Sequence, residues 1–420
     1  MSNTSKVVLI RLDLRPHKVP PPYMPIGILY LASALEQEGF ITKVIDLSKQ
    51  TIAELYKELP DTSIVGISML AAVRQQGYNL IQDIKTKYPN IKIVLGGCFP
   101  ASIGQELLYT YDIDAIIEGE GERGIVELCN KWKNNEKVEK KIYSFDLLDI
   151  NAIKFPAWHL TKFEWWDMQI AKSRPDWTIN GVKIGNARWS PIISSRGCFG
   201  KCTFCNAFKH WNYKIRFRTG KNIADEIEEL VTKHNVTLFS FDDDAFPINK
   251  KQCLDLCAEI MQRNLKIAWK ADTRIDRMDK EMLIAMKEAG CFMLAVGIES
   301  GSETILKNIK KGINLKKAKE TIKLIKEVGM IAYTLLMVGN PGETIETIQE
   351  TVKFLEETKP NIYSYHTGVM IVPGSEMQTI GNIPNNYYLK GDGLPCYTSE
   401  HSLDQLTKFA HMIDQVPKYF

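Results

Sequence analysis

Ile193-Ser-Ser-Arg-Gly-Cys-Phe-Gly-Lys-Cys-Thr-Phe-Cys-Asn206 decides how this chain is read. Three cysteines, Cys198, Cys202 and Cys205, fall in the spacing C-x3-C-x2-C. Thiolates are soft ligands that suit zinc or iron–sulfur clusters. A structural zinc site wants four closed ligands, usually as two separated pairs. No second C-x2-C pair is present, and Cys253 follows Cys205 only after 48 residues. Three close thiolates on one loop suit a 4Fe–4S cluster with one iron open to a further ligand. Zinc or inert thiols remain the alternative. The loop follows the strand-like run Pro191–Ser194, and barrel enzymes place their chemistry where strands end.

Composition narrows the classes. With 53 basic and 50 acidic residues the chain carries a formal charge of +3. No nucleic-acid partner is demanded by that balance. At 45% hydrophobic and 25% charged it has the make-up of an ordinary globular protein, long enough for two domains. No apolar run reaches bilayer length, so no membrane partner is expected. An odd count of nine cysteines argues against a disulfide framework and for a reducing cytoplasm.

Residues 1–133 alternate short apolar runs with amphipathic stretches. Strands are expected at Lys6–Leu12, Thr42–Asp46, Ile64–Ser68, Ile91–Leu95 and Ala115–Glu118, with helices between. This predicts an α/β domain, a Rossmann-like doubly wound parallel sheet. Ligands of such sheets bind at the carboxyl ends of the strands. Small and turn-forming residues fall there: Pro25-Ile-Gly27, Ser68 with Met69 and Leu70, Gly96-Gly97, and Gly119-Glu120-Gly121-Glu122. Each alone reads more readily as a tight strand-to-helix turn than as a ligand loop.

Residues 134–189 form a connector. Its lysine-rich start, Lys131 to Lys141, reads as a solvated face. It also holds five of the eight tryptophans, Trp158, Trp165, Trp166, Trp177 and Trp189. These either pack the domains together or wall a substrate cavity. Across 190–375, six strand-like runs alternate with helices, predicting a partial (β/α)6 barrel open on one side. Residues 376–420 are a C-terminal extension in which Ser402 to Val416 could be a closing helix.

The strand ends carry the remaining candidates. Phe241-Asp-Asp-Asp-Ala-Phe246 offers three consecutive carboxylates, Asp243 among them, which could bind a ligand or cap a helix. Asp272 and Arg274 read as an ion pair or a ligand contact. Glu299 and Ser300, in Val296-Gly-Ile-Glu-Ser-Gly301, follow a buried strand, where a carboxylate needs a partner. Gly339-Asn-Pro-Gly-Glu343 is a turn that could be structural. Cys253 and Cys257 read as buried inert thiols, and His366 as a core residue.

The cysteine loop resembles that of the radical S-adenosylmethionine (radical SAM) enzymes, including Phe204 before the third cysteine. The order C-x3-C-x2-C, F-D-D-D, W-x-A-D-x-R, G-I-E-S-G-S, G-x-P-G-E and V-P-G-S resembles the cobalamin-dependent branch nearly end to end. The first domain is similar to the cobalamin-binding domain found ahead of many such barrels, without a D-x-H-x-x-G motif. The resemblance implies a 4Fe–4S cluster, SAM and cobalamin as cofactors. Glu299 and Ser300 would touch SAM, with Phe204 near its adenine and Asp243 among the cofactor contacts. Ser68, Met69, Leu70, Gly96, Gly97, Gly119, Glu120 and Gly121 would enclose cobalamin, its lower face meeting Met69 or Leu70. The implied activity is methyl transfer to an unactivated carbon or phosphorus of a small-molecule or peptide substrate. One SAM would supply the methyl group by way of cobalamin, and another would generate a 5′-deoxyadenosyl radical. An electron donor such as flavodoxin or ferredoxin would feed the cluster. The alternatives are a radical ring rearrangement or cyclisation, and a non-enzymatic cluster-binding module. No residue stands out as a proton donor or acceptor.

Overall fold

The computed structural model describes residues 5–13, 23–389, 394–397 and 400–418. It divides into two compact units: Met1–Trp165 with His210–Asn212 and Asn382–Leu394, and the remainder.

The first unit is a six-stranded parallel sheet: β1 Lys6–Arg11, β2 Ile41–Asp46, β3 Thr62–Ser68, β4 Lys92–Gly96, β5 Ala115–Glu118 and β6 Lys141–Ser144. The order is β2-β1-β3-β4-β5-β6. Side chains alternate across a strand. Thus Val8 and Ile10 of β1 join an apolar layer with Ile81 and Ile84 of helix α3 (Arg74–Lys87) and Leu55 of α2 (Ile52–Glu58). Val7 and Leu9 join the opposite layer with Ile28 and Leu35 of α1 (Ile26–Gln37) and Leu128 of α4 (Glu122–Lys133). Burial on both faces is what makes these strands near-continuous apolar runs.

Two features depart from the sequence reading. The sheet takes a sixth strand from within the stretch read as connector: β6 pairs with β5 from Ala115↔Lys141 to Glu118↔Ser144. Its four residues are exposed or half-buried, so they lack a strand's apolar signature; lysine suits such an edge. The second is in the C-terminal extension. Its residues 382–389 belong to the first unit, where Tyr388 is buried. Tyr78 donates to the Tyr388 carbonyl at 2.9 Å and Tyr111 to that of Leu389 at 2.8 Å.

The second unit holds six parallel strands: β7 Arg188–Ile192, β8 Val236–Phe241, β9 Ala268–Thr273, β10 Cys291–Glu299, β11 Ile331–Val338 and β12 Ile362–Thr367. They lie in sequence order with β7 and β12 at the two edges, an open (β/α)6 barrel. Its principal helices are α5 Gly220–His234, α6 Lys250–Gln262, α7 Lys280–Glu288, α8 Leu315–Glu327 and α9 Ile345–Thr358. Side-chain caps fix where they start: Asn249, Asp279 and Asn314 accept from the backbone N–H of Gln252, Met282 and Lys317. Phe241 and Trp269 pack edge to face at 5.0 Å in the core. Helix α10 (Leu403–Asp414) closes on the last strand, where Tyr363 donates to the Ile413 carbonyl at 3.1 Å.

The tryptophans do not act as one group. Trp158 packs on Phe163 in the first unit, whereas Trp189 lies on β7 and donates to Ser240 at 3.1 Å. His366 is exposed on the edge strand β12, not in the core. Cys253 and Cys257 are buried on α6. Among the described residues, no helix is long and apolar enough to cross a membrane.

Candidate active site

The cysteine loop leaves β7 and is pinned before the first cysteine is reached. Asp243, just past β8, is the pin. One carboxylate oxygen accepts from the Ser194 hydroxyl at 2.9 Å. The other accepts from the Ser194 N–H at 2.9 Å, the Ser195 hydroxyl at 2.8 Å and the Ser195 N–H. Burial pushes its carboxyl up to about 7, against the pull of these donors. The Ser194 carbonyl accepts from the Arg218 N–H at 2.9 Å and from Gln252 Nε2 at 3.0 Å. Gly197 then turns the loop at φ 103°, where a Cβ would collide with the Lys214 carbonyl.

Beyond this pin the three thiols gather. A Cβ on Gly200 would lie 3.4 Å from Cys202 Sγ, 3.5 Å from Cys198 Sγ and 2.8 Å from an Arg274 nitrogen. Only glycine leaves that cradle open. The N–H of Gly200 donates to Cys198 Sγ at 3.4 Å, and that of Ala207 to Cys205 Sγ at 3.3 Å. Burial pushes the Cys202 thiol up, while Lys311 and Arg274 pull it down. The Cys205 thiol is pushed up to about 11 by burial. Soft sulfur donors, N–H groups aimed at sulfur and two buried cations fit an anionic iron–sulfur cluster. Among the described residues, no three His, Cys, Asp or Glu side chains converge as around a single metal ion. Thiolates that ligate separate irons of one cluster need no such convergence.

Glu299 ends β10 with φ 68°, a left-handed conformation that costs a non-glycine residue on the order of 1–3 kcal/mol. Its carboxylate accepts from Lys311 Nζ at 2.7 Å, with both side chains largely buried. A Cβ on Gly297 would lie 2.8 Å from the Glu299 oxygen and 2.9 Å from Lys311 Nζ, so that glycine makes room for the pair. Arg274 joins them: its guanidinium donates to the Lys311 carbonyl at 2.9 Å and to Asp276 at 3.2 Å. The partner that a buried Glu299 requires is thus a lysine of the chain itself. Lys311 sits in the turn Lys310-Lys311-Gly312, where nothing in the sequence distinguishes it from a surface lysine.

Several candidates have partners within the fold. Asp243, expected to contact a cofactor, has both oxygens committed to Ser194 and Ser195. Ser300 is buried, lies 3.2 Å from the Thr351 hydroxyl on α9 and accepts from the Ser302 N–H at 3.1 Å. Glu343 is buried and holds its own turn, accepting from the N–H groups of Gly339 and Asn340. Asp272 pairs with Lys270 at 3.1 Å, not with Arg274. Phe204 is half-buried on the cysteine loop. Removing the Asp243 pin should matter: Asp243→Ala strands buried donors at about 1–3 kcal/mol each. We expect a lower melting temperature and reduced iron incorporation, with partial recovery in Asp243→Asn. An unchanged iron content in the alanine variant would show that the loop is held otherwise.

In the first unit, the loops after β3, β4 and β5 lie at the carboxyl end of the sheet. Met69 is fully buried against Gly77 and Leu12, so it belongs to the core and not to a ligand surface. Leu70, next to it, is 38% exposed. Gly97 has φ 95°, and a Cβ there would come 2.9 Å from the Met69 carbonyl. A Cβ on Gly96 would meet only open space. Gly119 has φ 78°, and Glu120 and Gly121 are half-buried at the start of α4. Open backbone beside an exposed leucine suits a flat ligand with an apolar face.

Comparison with known proteins agrees with both halves. Residues 192–355 match the Radical SAM superfamily and residues 17–129 the B12 binding domain. An uncharacterized methyltransferase of Pyrococcus horikoshii is 28% identical, over 87% of this chain and 80% of its own length. An anaerobic magnesium-protoporphyrin IX monomethyl ester cyclase of Rubrivivax gelatinosus is 28% identical over 81% of this chain, which spans 63% of that enzyme. The fold is shared with the radical SAM methyltransferase TsrM of Kitasatospora setae, solved with cobalamin and a [4Fe-4S] cluster. That likeness has a TM-score of 0.71 at 19% identity and covers 89% of this chain and 74% of TsrM.

Proposed function

We propose that this chain, which belongs to the radical SAM superfamily and carries a B12 binding domain ahead of its radical SAM domain, transfers a methyl group to an unactivated carbon or phosphorus of a small molecule or peptide. The observation that carries this reading is the trio Cys198, Cys202 and Cys205 on one loop, with the first two sulfurs at the Gly200 cradle, in a chain that also holds a B12 binding domain. The similarity to a relative named as a methyltransferase supports it. When bound, the cluster and SAM supply radical chemistry and cobalamin supplies methyl-carrying chemistry.

The residues of the chain supply binding and electrostatics. Cys198, Cys202 and Cys205 hold the cluster, Asp243 positions their loop, and Arg274 and Lys311 balance its negative charge. Glu299, already held by Lys311, receives the amino group or ribose hydroxyls of SAM, and Phe204 packs near the adenine. Ser68, Leu70, Gly96, Gly97, Gly119, Glu120 and Gly121 enclose the corrin. A flavodoxin- or ferredoxin-type protein provides electrons, in a reducing compartment such as the cytoplasm.

Glu299→Gln is expected to weaken SAM binding by about 1–3 kcal/mol, the range for losing a partner of a buried polar group. Calorimetry on anaerobic protein would measure it, and an unchanged affinity would refute the role. The reading as a whole is tested by the visible spectrum of anaerobically reconstituted protein. Absorbance from both cluster and cobalamin is expected, and a protein that takes up no cobalamin contradicts it. A second reading, ring closure, is favoured by the similarity to the cyclase; it keeps the same cofactor sites and differs in the fate of SAM.

A further inference from the structure

The outer face of the cysteine loop is apolar at its centre and basic around it. Phe199, between Cys198 and Gly200, is 44% exposed. The Arg277 guanidinium lies 4.0 Å from its ring centroid, a cation–π contact. Lys317, at the start of α8, donates to the Asp276 carbonyl at 3.1 Å and so brings the adjacent Lys316 close to Arg277. The N–H of Thr203 donates to the Ile309 carbonyl at 3.0 Å, which brings the basic turn around Lys307 and Lys310 to the loop. Lys201, Lys307 and Lys316 are exposed and have no carboxylate partner among the described residues. The neighbouring acids are largely engaged. Glu376 holds Lys310 at 2.6 Å, and Asp276 holds Arg274 at 3.2 Å.

We propose that this face docks an acidic one-electron carrier protein, with Phe199 as its apolar anchor and Lys201, Lys307, Arg277 and Lys316 as its rim. The proposal rests on the assignment of the cluster to Cys198, Cys202 and Cys205. Phe199 is bonded directly to Cys198 and Lys201 to Cys202, so a carrier seated here lies next to two cluster ligands. One electron leaves the reduced carrier and enters the oxidised cluster, and no atom or group is transferred. An exposed aromatic beside the unpaired Lys201, Lys307 and Lys316, with Arg277 shared between the Phe199 ring and Asp276 at 3.9 Å, fits an acidic partner by charge complementarity. Redox encounters of this kind are small, commonly below about 1,200 Å², and depend on steering more than on buried area.

The test compares wild type with the charge-reversal variant Lys201→Glu/Arg277→Glu/Lys316→Glu, both with reconstituted cluster. Each is reduced anaerobically by flavodoxin hydroquinone and, separately, by dithionite. The variant should be reduced by flavodoxin about tenfold more slowly or worse, in keeping with loss of electrostatic steering. High salt should slow the wild type in the same direction. Iron content and the dithionite-reduced electron paramagnetic resonance signal should match between the two. A normal dithionite signal with flavodoxin rates indifferent to both substitution and salt overturns this proposal alone. A wild type with no cluster signal under dithionite overturns the cluster assignment as well.

Discussion

Replacing Cys198, Cys202 and Cys205 together with alanine is expected to remove the cluster absorbance and essentially all bound iron. Formation of 5′-deoxyadenosine from SAM under reduction should stop with it. The six other cysteines should not compensate. Cys253, Cys257 and Cys291 are buried in the second unit's core, and burial raises the Cys291 and Cys129 thiols well above their usual range. Cys98 and Cys396 lie on separate segments, with Cys98 in the first unit. None of these six lies on the loop that gathers Cys198, Cys202 and Cys205, so none can take a lost ligand's place there. The loop should remain folded, because Asp243 holds it at Ser194 and Ser195, ahead of the first cysteine. Full iron retained in the triple variant would place the cluster elsewhere.

Cob(II)alamin bound to this chain is expected to show no nitrogen superhyperfine splitting from a protein histidine. In the proposed site Leu70, exposed in the loop after β3, would face the cobalt from below, while the neighbouring Met69 is turned into the core. A cobalt with no protein ligand below suits the most reduced state, which holds axial ligands weakly and is the state that accepts a methyl group. Leu70→His should install such splitting, and isotope labelling of histidine would identify it. Splitting from histidine in the wild type would overturn the assignment of the lower face. Failure of the wild type to bind cobalamin would remove the proposed function.

Much of this was legible in the sequence because periodicity and spacing are local. Eleven of the twelve principal strands follow from apolar runs, since strands buried on both faces have little freedom in composition. The exception, Lys141–Ser144, is an edge strand whose pairing comes from a neighbour and not from its own pattern. The cysteine loop was visible because three cysteines lie within eight residues. Partnerships across the fold were not. Lys311 reaches Glu299 only because the turn before α8 folds back over the end of β10. Asp243 looked like a ligand because it ends a strand among carboxylates, yet its donors come from β7's continuation 48 and 49 residues earlier. Likewise, that the stretch 382–389 returns to the first unit depends on Tyr78 and Tyr111, some three hundred residues away in the chain.

The most direct measurement follows the fate of SAM in protein loaded with cluster, with and without cobalamin, under anaerobic reduction. A methyltransferase of the proposed kind divides SAM between two products, 5′-deoxyadenosine from radical generation and S-adenosylhomocysteine from methyl donation. The account predicts 5′-deoxyadenosine in both preparations and S-adenosylhomocysteine only where cobalamin is bound. Formation of 5′-deoxyadenosine with no S-adenosylhomocysteine in the cobalamin-loaded protein would contradict it and favour ring closure.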